Sequence, residues 1–371
     1  MKWDNVERNE DNTMEKLSLT VLDFVRCLGA CAVGIATIDT LAGGPPSADL
    51  TYVLPDANSA ISFAIPLDQD MIPAFLGKEN RISHERDSYR TNGLANGLSL
   101  QLSKWLDQKG YPSIAQASND VYRSDTPGGR LDMYPELSLR YLAVRSGVGH
   151  FGLSGNIITK DHGAAVILGC VVTTAKLEPT DPLPDDENYC DNCRLCMASC
   201  ASGLVDKKEK TRIKLGDVEF EYSKRRSYLR CEYVCGGFTG LHSSGKWSTW
   251  SPGRFPIPKD DIDFGPALVA TLDAYGKRPD LEGGYYHSLM RGKIYQSCGN
   301  CQLVCHPDKD ERKRRYKMLS GSGVVVQHPD GTLEAMSPEK AASFLSAMEP
   351  EEKALYESIE SGTGALGKVA V

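Results

Sequence analysis

The stretch Cys190-Asp-Asn-Cys193-Arg-Leu-Cys196-Met-Ala-Ser-Cys200 reads C-x2-C-x2-C-x3-C, and the rest of the chain is best read outward from it. In this spacing the first three thiolates hold one 4Fe-4S cluster and the fourth ligates a second. A second run, Cys298, Cys301 and Cys305, is C-x2-C-x3-C followed by His306 and Pro307, one thiolate short of the full pattern. If Cys190, Cys193, Cys196 and Cys305 hold the first cluster, the second has Cys200, Cys298 and Cys301 and needs one more ligand. Cys231 and Cys235 are the candidates, with Cys231 preferred. A structural zinc needs four ligands rather than seven crowded cysteines, and a disulfide framework suits an oxidising compartment. Cys27 and Cys31, across a helix-strand junction, and Cys170, inside an apolar strand, read as small buried hydrophobes.

Immediately before the first run, residues 177–189 (LEPTDPLPDDENY) carry three prolines and five acidic residues, and a domain boundary is placed there. Residues 1–178 then read as α/β. A helix with Leu17, Val21, Phe24, Val25 and Leu28 on one face leads to a strand over Cys31 to Ile38. A second strand covers Ala60 to Ile65, a helix follows with Leu94, Leu98, Leu102 and Leu106, and Ile114 lies in a short strand. Pro135 suits the first turn of a helix with Leu137, Tyr141, Leu142 and Val144 inside. The apolar run Ala164 to Ala175 reads as a doubly covered strand. Residues 179–320 hold the cysteine runs in irregular sequence that a metal centre would cross-link. Residues 321–371 form an extension with a strand at Val324 to Val326 and a helix from Pro338 to Met348.

The 371 residues carry a formal net charge of −7 with 41% hydrophobic and 25% charged residues, ordinary values for a globular protein and the wrong sign for a nucleic-acid wrapper. No run of about 18 apolar residues is present, and the start shows neither an apolar signal core nor a twin-arginine pair, so the expectation is a cytoplasmic protein with no membrane association.

Residues 132–163, DMYPELSLRYLAVRSGVGHFGLSGNIITKDHG, contain Gly147-x-Gly149-x-x-Gly152, which looks like a dinucleotide fingerprint. A Rossmann glycine loop follows a strand and opens a helix, and here the order is reversed. Glycines at 147, 149, 152 and 155 suggest backbone lying against a flat ligand; a surface turn is the plain alternative.

Taken with CAVGIATID near the start, LPDANSAISFAIP at 54–66 and RGKIYQSCGNCQLVCHP at 291–307, these stretches resemble the cobalamin-dependent iron-sulfur reductases, the family of epoxyqueuosine reductases and corrinoid reductive dehalogenases. The resemblance implies an α/β cobalamin-binding domain joined to an α+β bacterial two-4Fe-4S ferredoxin-like domain. Its cofactors would be two 4Fe-4S clusters and a base-off corrinoid (cobalamin), and no D-x-H-x-x-G motif offers a lower histidine ligand. By that resemblance Asp132 matches the acid that gives a proton to substrate, with Tyr134 as the spare donor because the dehalogenase branch uses tyrosine. Gly147, Gly149 and Gly152 match the corrinoid loop, and His150 and Ser154 lie in the same run. Cys231 falls near the isolated cysteine that completes the second cluster.

The length looks more like the epoxyqueuosine branch. Two departures sit where substrate would be chosen: Leu153 and Ser154 stand where that branch has a Lys-Asn pair, and the stretches from Cys200 to Cys231 and from Cys235 to Cys298 are longer. The expected chemistry is reductive cleavage of a C–O bond, electrons passing from the clusters to cobalt. The alternatives are a dehalogenase-like corrinoid enzyme acting on a small molecule and a two-cluster electron-transfer ferredoxin with no corrinoid. The expected partner is a low-potential electron donor of ferredoxin or flavodoxin type. A tRNA substrate needs phosphate contacts, for which the basic runs are Lys207 to Lys214, Lys224 to Arg226, and ERKRRYK at 311–317; a solvated helix face is the plain reading of the last. Asp132 likewise has a plain reading, as the cap of the Pro135 helix.

Overall fold

Strands β1 (Ala32–Thr37), β2 (Ser59–Pro66), β3 (Ser113–Gln116) and β4 (Val166–Thr173) form one sheet in the order β1-β2-β4-β3, antiparallel throughout. The computed structural model describes residues 3–118, 121–286 and 293–358. Both faces of the sheet are covered, because β2 and β4 alternate small and large apolar side chains that are buried on either side. On one face Ile61, Phe63, Ile65 and Val171 pack under α1 (Trp3–Cys27) and α2 (Ile82–Gln108), through Val21 and Val25 on the first and Leu98, Leu102 and Leu106 on the second. On the other, Ala60, Ala64, Cys170 and Val172 pack under α3 (Leu139–Arg145). The apolar run at 164–175 is therefore doubly covered as expected, but in an antiparallel sheet: the α/β expectation resolves as mixed α and β elements without parallel crossovers.

Phe63 fixes the register. It sits opposite Gly169, where a Cβ would stand 2.3 Å from the ring, so only glycine lets the ring lie across β4. Complete burial of a side chain this size stabilises by about 2 to 3 kcal/mol.

Pro135 does not open a helix. Tyr134 before it is restricted to extended backbone, Pro135 bridges to Tyr122, and α3 starts only after Ser138, whose hydroxyl accepts from the Tyr141 N–H. A hairpin of β5 (Val205–Leu215) and β6 (Val218–Arg225) follows the first cysteine run, and its Ile213, Leu215 and Tyr222 join the α3 side of the core.

The chain divides into two compact units, residues 1–228 with 299–319, and residues 229–298 with 320–371. The expected boundary at 178 is absent because the acidic segment is fastened to the first unit: Leu177 N–H donates to Ser59, Glu178 N–H to Ser18, and the Thr180 hydroxyl to the Ser146 carbonyl at 2.6 Å. Three domains thus become two units, and the extension from 321 joins the second. In that unit α4 (Leu229–Cys235) and α5 (Phe264–Lys277) pack through Tyr233, Phe238 and Phe264. A hairpin of β7 (Val324–Gln327) and β8 (Leu333–Met336) carries α6 (Pro338–Ser346), capped by Ser337. Among the described residues no helix is long and apolar enough to cross a membrane.

Candidate iron-sulfur centre

The first cysteine run is a loop shaped by its own side chains. Asn188 accepts from the Cys190 N–H at 3.0 Å and Asp191 from the Cys193 N–H at 3.2 Å. Asn192 and Arg194 both take left-handed backbone, with φ of 56° and 60°, which costs each about 1 kcal/mol. Alternating hand in this way makes the concave backbone nest that receives anionic and iron-sulfur groups. A single helical turn, Leu195–Ala198, then carries Cys196, and Cys305 of the second run joins the same group.

The four thiols interact. Burial, then the neighbouring Cys190 and Cys193, pushes Cys196 up to about 11, while the Ser154 hydroxyl within hydrogen-bonding reach pulls the other way. Burial, then Cys196 and Cys190, pushes Cys305 up to about 12 against the pull of Arg312. Sulfurs gathered this closely resist ionising together unless a positive core compensates them, and a ferric/ferrous cluster is such a core. The Tyr189 hydroxyl lies within hydrogen-bonding reach of Cys305, and around the thiols lie buried polar atoms without a hydrogen-bond partner: the Arg312 Nε and both side-chain atoms of Asn300, the residue before Cys301. Buried donors left unsatisfied cost about 1 to 3 kcal/mol each, so the surroundings as well as the thiols fit an added acceptor of hydrogen bonds. The donor set and its surroundings therefore fit a cluster held by Cys190, Cys193, Cys196 and Cys305. Among the described residues no group of three or more His, Cys, Asp or Glu side chains is placed to hold a single metal ion.

The glycine-rich run serves these thiols. The Leu153 N–H donates to Cys190 Sγ at 3.3 Å, Ser154 reaches Cys196, and Asn156 Nδ2 lies 3.9 Å from Cys301 Sγ. Arg225 holds this turn, donating to the Ser154 carbonyl at 2.9 Å and to Asn156 Oδ1 at 2.6 Å, and Arg140 donates to the Gly155 carbonyl at 2.7 Å. The glycines face protein. A Cβ on Gly147 would stand 2.3 Å from the Asp181 carbonyl, on Gly149 2.7 Å from Ile157, on Gly152 3.1 Å from Ile158, and on Gly155, at φ +73°, 2.6 Å from the Tyr222 ring. His150 is buried with Nε2 against the Pro184 carbonyl at 2.9 Å. The faces that the missing side chains leave free at Gly147, Gly149, Gly152 and Gly155 are thus taken up by the acidic segment, the 157–158 strand and the β5-β6 hairpin, and His150 and Ser154 are buried with them.

Asp132 is exposed and accepts from the Gly128 N–H at 2.8 Å, closing its own short turn rather than capping α3. No dry pocket encloses it. Tyr134 is half-buried, and its carbonyl accepts from the Arg123 N–H.

In the second unit α4 places Cys231 and Cys235 one turn apart, with sulfurs 3.4 Å from each other. Cys235 also touches Cys298, and its thiol is pushed well up by Cys231, Cys298 and burial, in that order. The resemblance favours Cys231; the structure sets Cys235 beside a member of the second run. In the first unit Cys200 lies 3.3 Å from the Ser202 hydroxyl.

The basic run at 311–317, the best phosphate candidate by sequence, is largely spent internally. Arg312 and Arg315 are buried; Arg312 pairs with Asp191 and lies 3.9 Å from Cys193 Sγ, and Arg315 donates to the Leu303 carbonyl and pairs with Glu311, which also takes Arg314. Glu221 takes Lys210 and Arg212, Glu209 takes Lys224, and Asp206 takes Arg226.

The first unit thus presents a cysteine-rich loop with left-handed turns, ringed by hydrogen-bond donors and carrying the C-x2-C-x2-C-x3-C spacing. No family model matches the chain. Among curated proteins it is similar to epoxyqueuosine reductases: that of Atelocyanobacterium thalassa (isolate ALOHA) is 29% identical over 164 residues, 43% of this chain and 47% of the relative. That of Gloeobacter violaceus is 26% identical over 207 residues, 48% of this chain and 58% of the relative. The chain thus spans about half the length of the curated relatives it matches. Solved structures to which it is similar include a selenomethionine-labelled epoxyqueuosine reductase, 17% identical, covering 91% of this chain and 74% of that one with a TM-score of 0.42. A catabolic reductive dehalogenase is 11% identical, covering 80% and 34% with a TM-score of 0.45. The curated relatives are epoxyqueuosine reductases, the family whose motifs the sequence resembles.

Proposed function

We propose that the chain is an iron-sulfur oxidoreductase of the epoxyqueuosine reductase kind, with one 4Fe-4S cluster on Cys190, Cys193, Cys196 and Cys305 and with Cys235 and Cys298 among the ligands of a second. The observation that carries this reading is the turn Leu153 to Asn156, whose three donors reach three different ligand sulfurs. Such clusters, when bound, supply electrons one at a time. The chain's own residues lower the cost of the anionic sulfurs: Leu153, Ser154 and Asn156 donate to them, Arg312 brings a buried cation to Cys193, and Tyr189 and Met197 exclude water. Cleavage of a C–O bond in an epoxyqueuosine-type tRNA nucleoside is the substrate reading supported by the curated relatives.

The corrinoid implied by the resemblance does not fit the glycine run, and no step is derived through it. That packing, together with the exposure of Asp132, favours a second reading in which the chain passes electrons to another protein. One experiment separates them. The chain is reconstituted anaerobically with iron and sulfide, then given a low-potential reductant and an epoxyqueuosine-bearing anticodon stem-loop, with and without cobalamin. Conversion to queuosine is expected. No conversion in either arm, with both clusters in place, overturns the reductase reading in favour of electron transfer.

A further inference from the structure

Beside the first cysteine run lies a surface cavity of about 290 Å³ lined by Leu153, Asn192, Arg194, Met197, Lys207, Lys208, Lys210 and Ser223. Four of these residues are cations and none is an acid. The hairpin is built to gather them. Lys207, Lys208 and Lys210 are exposed positions on β5, and in a regular strand Lys207 would face away from Lys208 and Lys210. The β5-β6 register slips between Val205 and Lys210, and in that bulge Asp206 accepts from the Lys208 N–H at 2.8 Å and the Glu209 N–H at 2.9 Å. The slip is what lets all three lysines line one cavity. Lys210 pairs with Glu221, whereas Arg194, Lys207 and Lys208 have no carboxylate partner among the described residues.

The same cavity touches the ligand loop. Leu153 donates its N–H to Cys190 Sγ, Met197 packs with Cys196, and residues 191–194, Cys193 included, are exposed. A local positive patch thus sits beside Cys193, the exposed thiol of the first run, in a chain whose formal net charge is −7. An acidic protein is repelled by the chain as a whole and drawn to this one place, an arrangement that orients encounter and speeds it.

We infer that this face is the electron entry port, where an acidic one-electron carrier protein docks on Arg194, Lys207, Lys208 and Lys210 and reduces the cluster held by Cys190, Cys193, Cys196 and Cys305. The inference rests on the proposed iron-sulfur reading. In each encounter the carrier loses one electron and the cluster gains it; no bond is made or broken. Exposed lysines on a rim suit a macromolecular surface, and an RNA phosphate backbone is the rival occupant.

The test uses the full reconstituted chain, with stopped-flow bleaching of the visible cluster absorbance as readout. The reductants are reduced flavodoxin, an acidic carrier, and photoreduced deazariboflavin, which is uncharged. Lys207→Glu with Lys208→Glu should slow reduction by flavodoxin about tenfold at low salt and flatten its salt dependence, leaving reduction by deazariboflavin unchanged. Lys16→Glu with Lys104→Glu, an equal change of charge on α1 and α2 across the sheet, should change neither. Equal flavodoxin rates in both double variants overturn the port, as does slowing with both reductants. Loss of stem-loop RNA binding with flavodoxin rates unchanged also overturns it and assigns the face to RNA. Protein that stays colourless after reconstitution brings down the iron-sulfur reading itself, and is recognised before any donor is added.

Discussion

The two groups of thiols are built differently. In the first unit the sulfurs are met by other chemistry: a backbone N–H on Cys190, a hydroxyl on Cys196, a guanidinium near Cys193. In the second unit Cys231, Cys235 and Cys298 meet chiefly one another, and α4 sets two candidate ligands side by side where one is needed. The first group is surrounded by hydrogen-bond donors, and the second places a spare thiol beside its neighbours.

The largest effect expected follows directly. Cys196→Ala should halve the iron content of reconstituted protein, removing about four atoms. Cys235→Ala should do the same, whereas Cys231→Ala should keep full iron; the reverse order in the second pair would return the ligand role to Cys231.

Next comes the turn that serves the first group. Gly155→Ala forces φ +73° on a residue with a Cβ and drives that Cβ into Tyr222, so thermal unfolding should show a loss of about 3 kcal/mol. Gly203, at φ +65° with nothing within 4 Å, provides the contrast: Gly203→Ala should cost only about 1 kcal/mol. Equal losses would mean that the packing of the turn on the hairpin contributes nothing.

The cysteine spacing was legible because a cluster's size limits how ligands can follow one another along a chain, and that limit is local. Periodicity placed β1, β2 and β4 for the same reason, since burial on both faces leaves a continuous apolar run in Val166 to Thr173. What was not legible depends on distant partners. The direction of β4 relative to β2 is set by pairing across more than a hundred residues, so its antiparallel sense could not be read from composition. Glycine announces only that a side chain is unwelcome; whether ligand or protein fills the space was decided by Tyr222 and Asp181, far along the chain. Asn156 was missed although it lies in the glycine run, because its partners Arg225 and Cys301 are 69 and 145 residues away. The run at 311–317 looked like free charge, yet Asp191 and the leading Glu311 take up much of it.

A smaller effect sharpens the contrast in tuning. Ser154→Ala removes one neutral hydrogen bond of about 1 kcal/mol to Cys196, so the first cluster's potential should fall by on the order of 40 mV in an EPR-monitored redox titration. An unchanged potential would leave Ser154 a packing residue. The smallest effect is one of acid stability. Hydrogen bonds from Arg314 and Arg315 hold the Glu311 carboxyl down to about 2 against its burial, below its ordinary value of 4.5. The stabilisation is complete above the ordinary value and is lost as pH falls from about 4.5 towards 2; Glu311→Gln should cost about 1 kcal/mol at neutral pH, after allowance for solvent screening, and little near pH 2.

The most direct measurement is the quantity of iron and acid-labile sulfide per folded chain after anaerobic reconstitution. The structure predicts about eight of each, in two 4Fe-4S sets that become EPR-active on one-electron reduction. A folded chain that instead holds zinc, with neither iron nor sulfide, would contradict it.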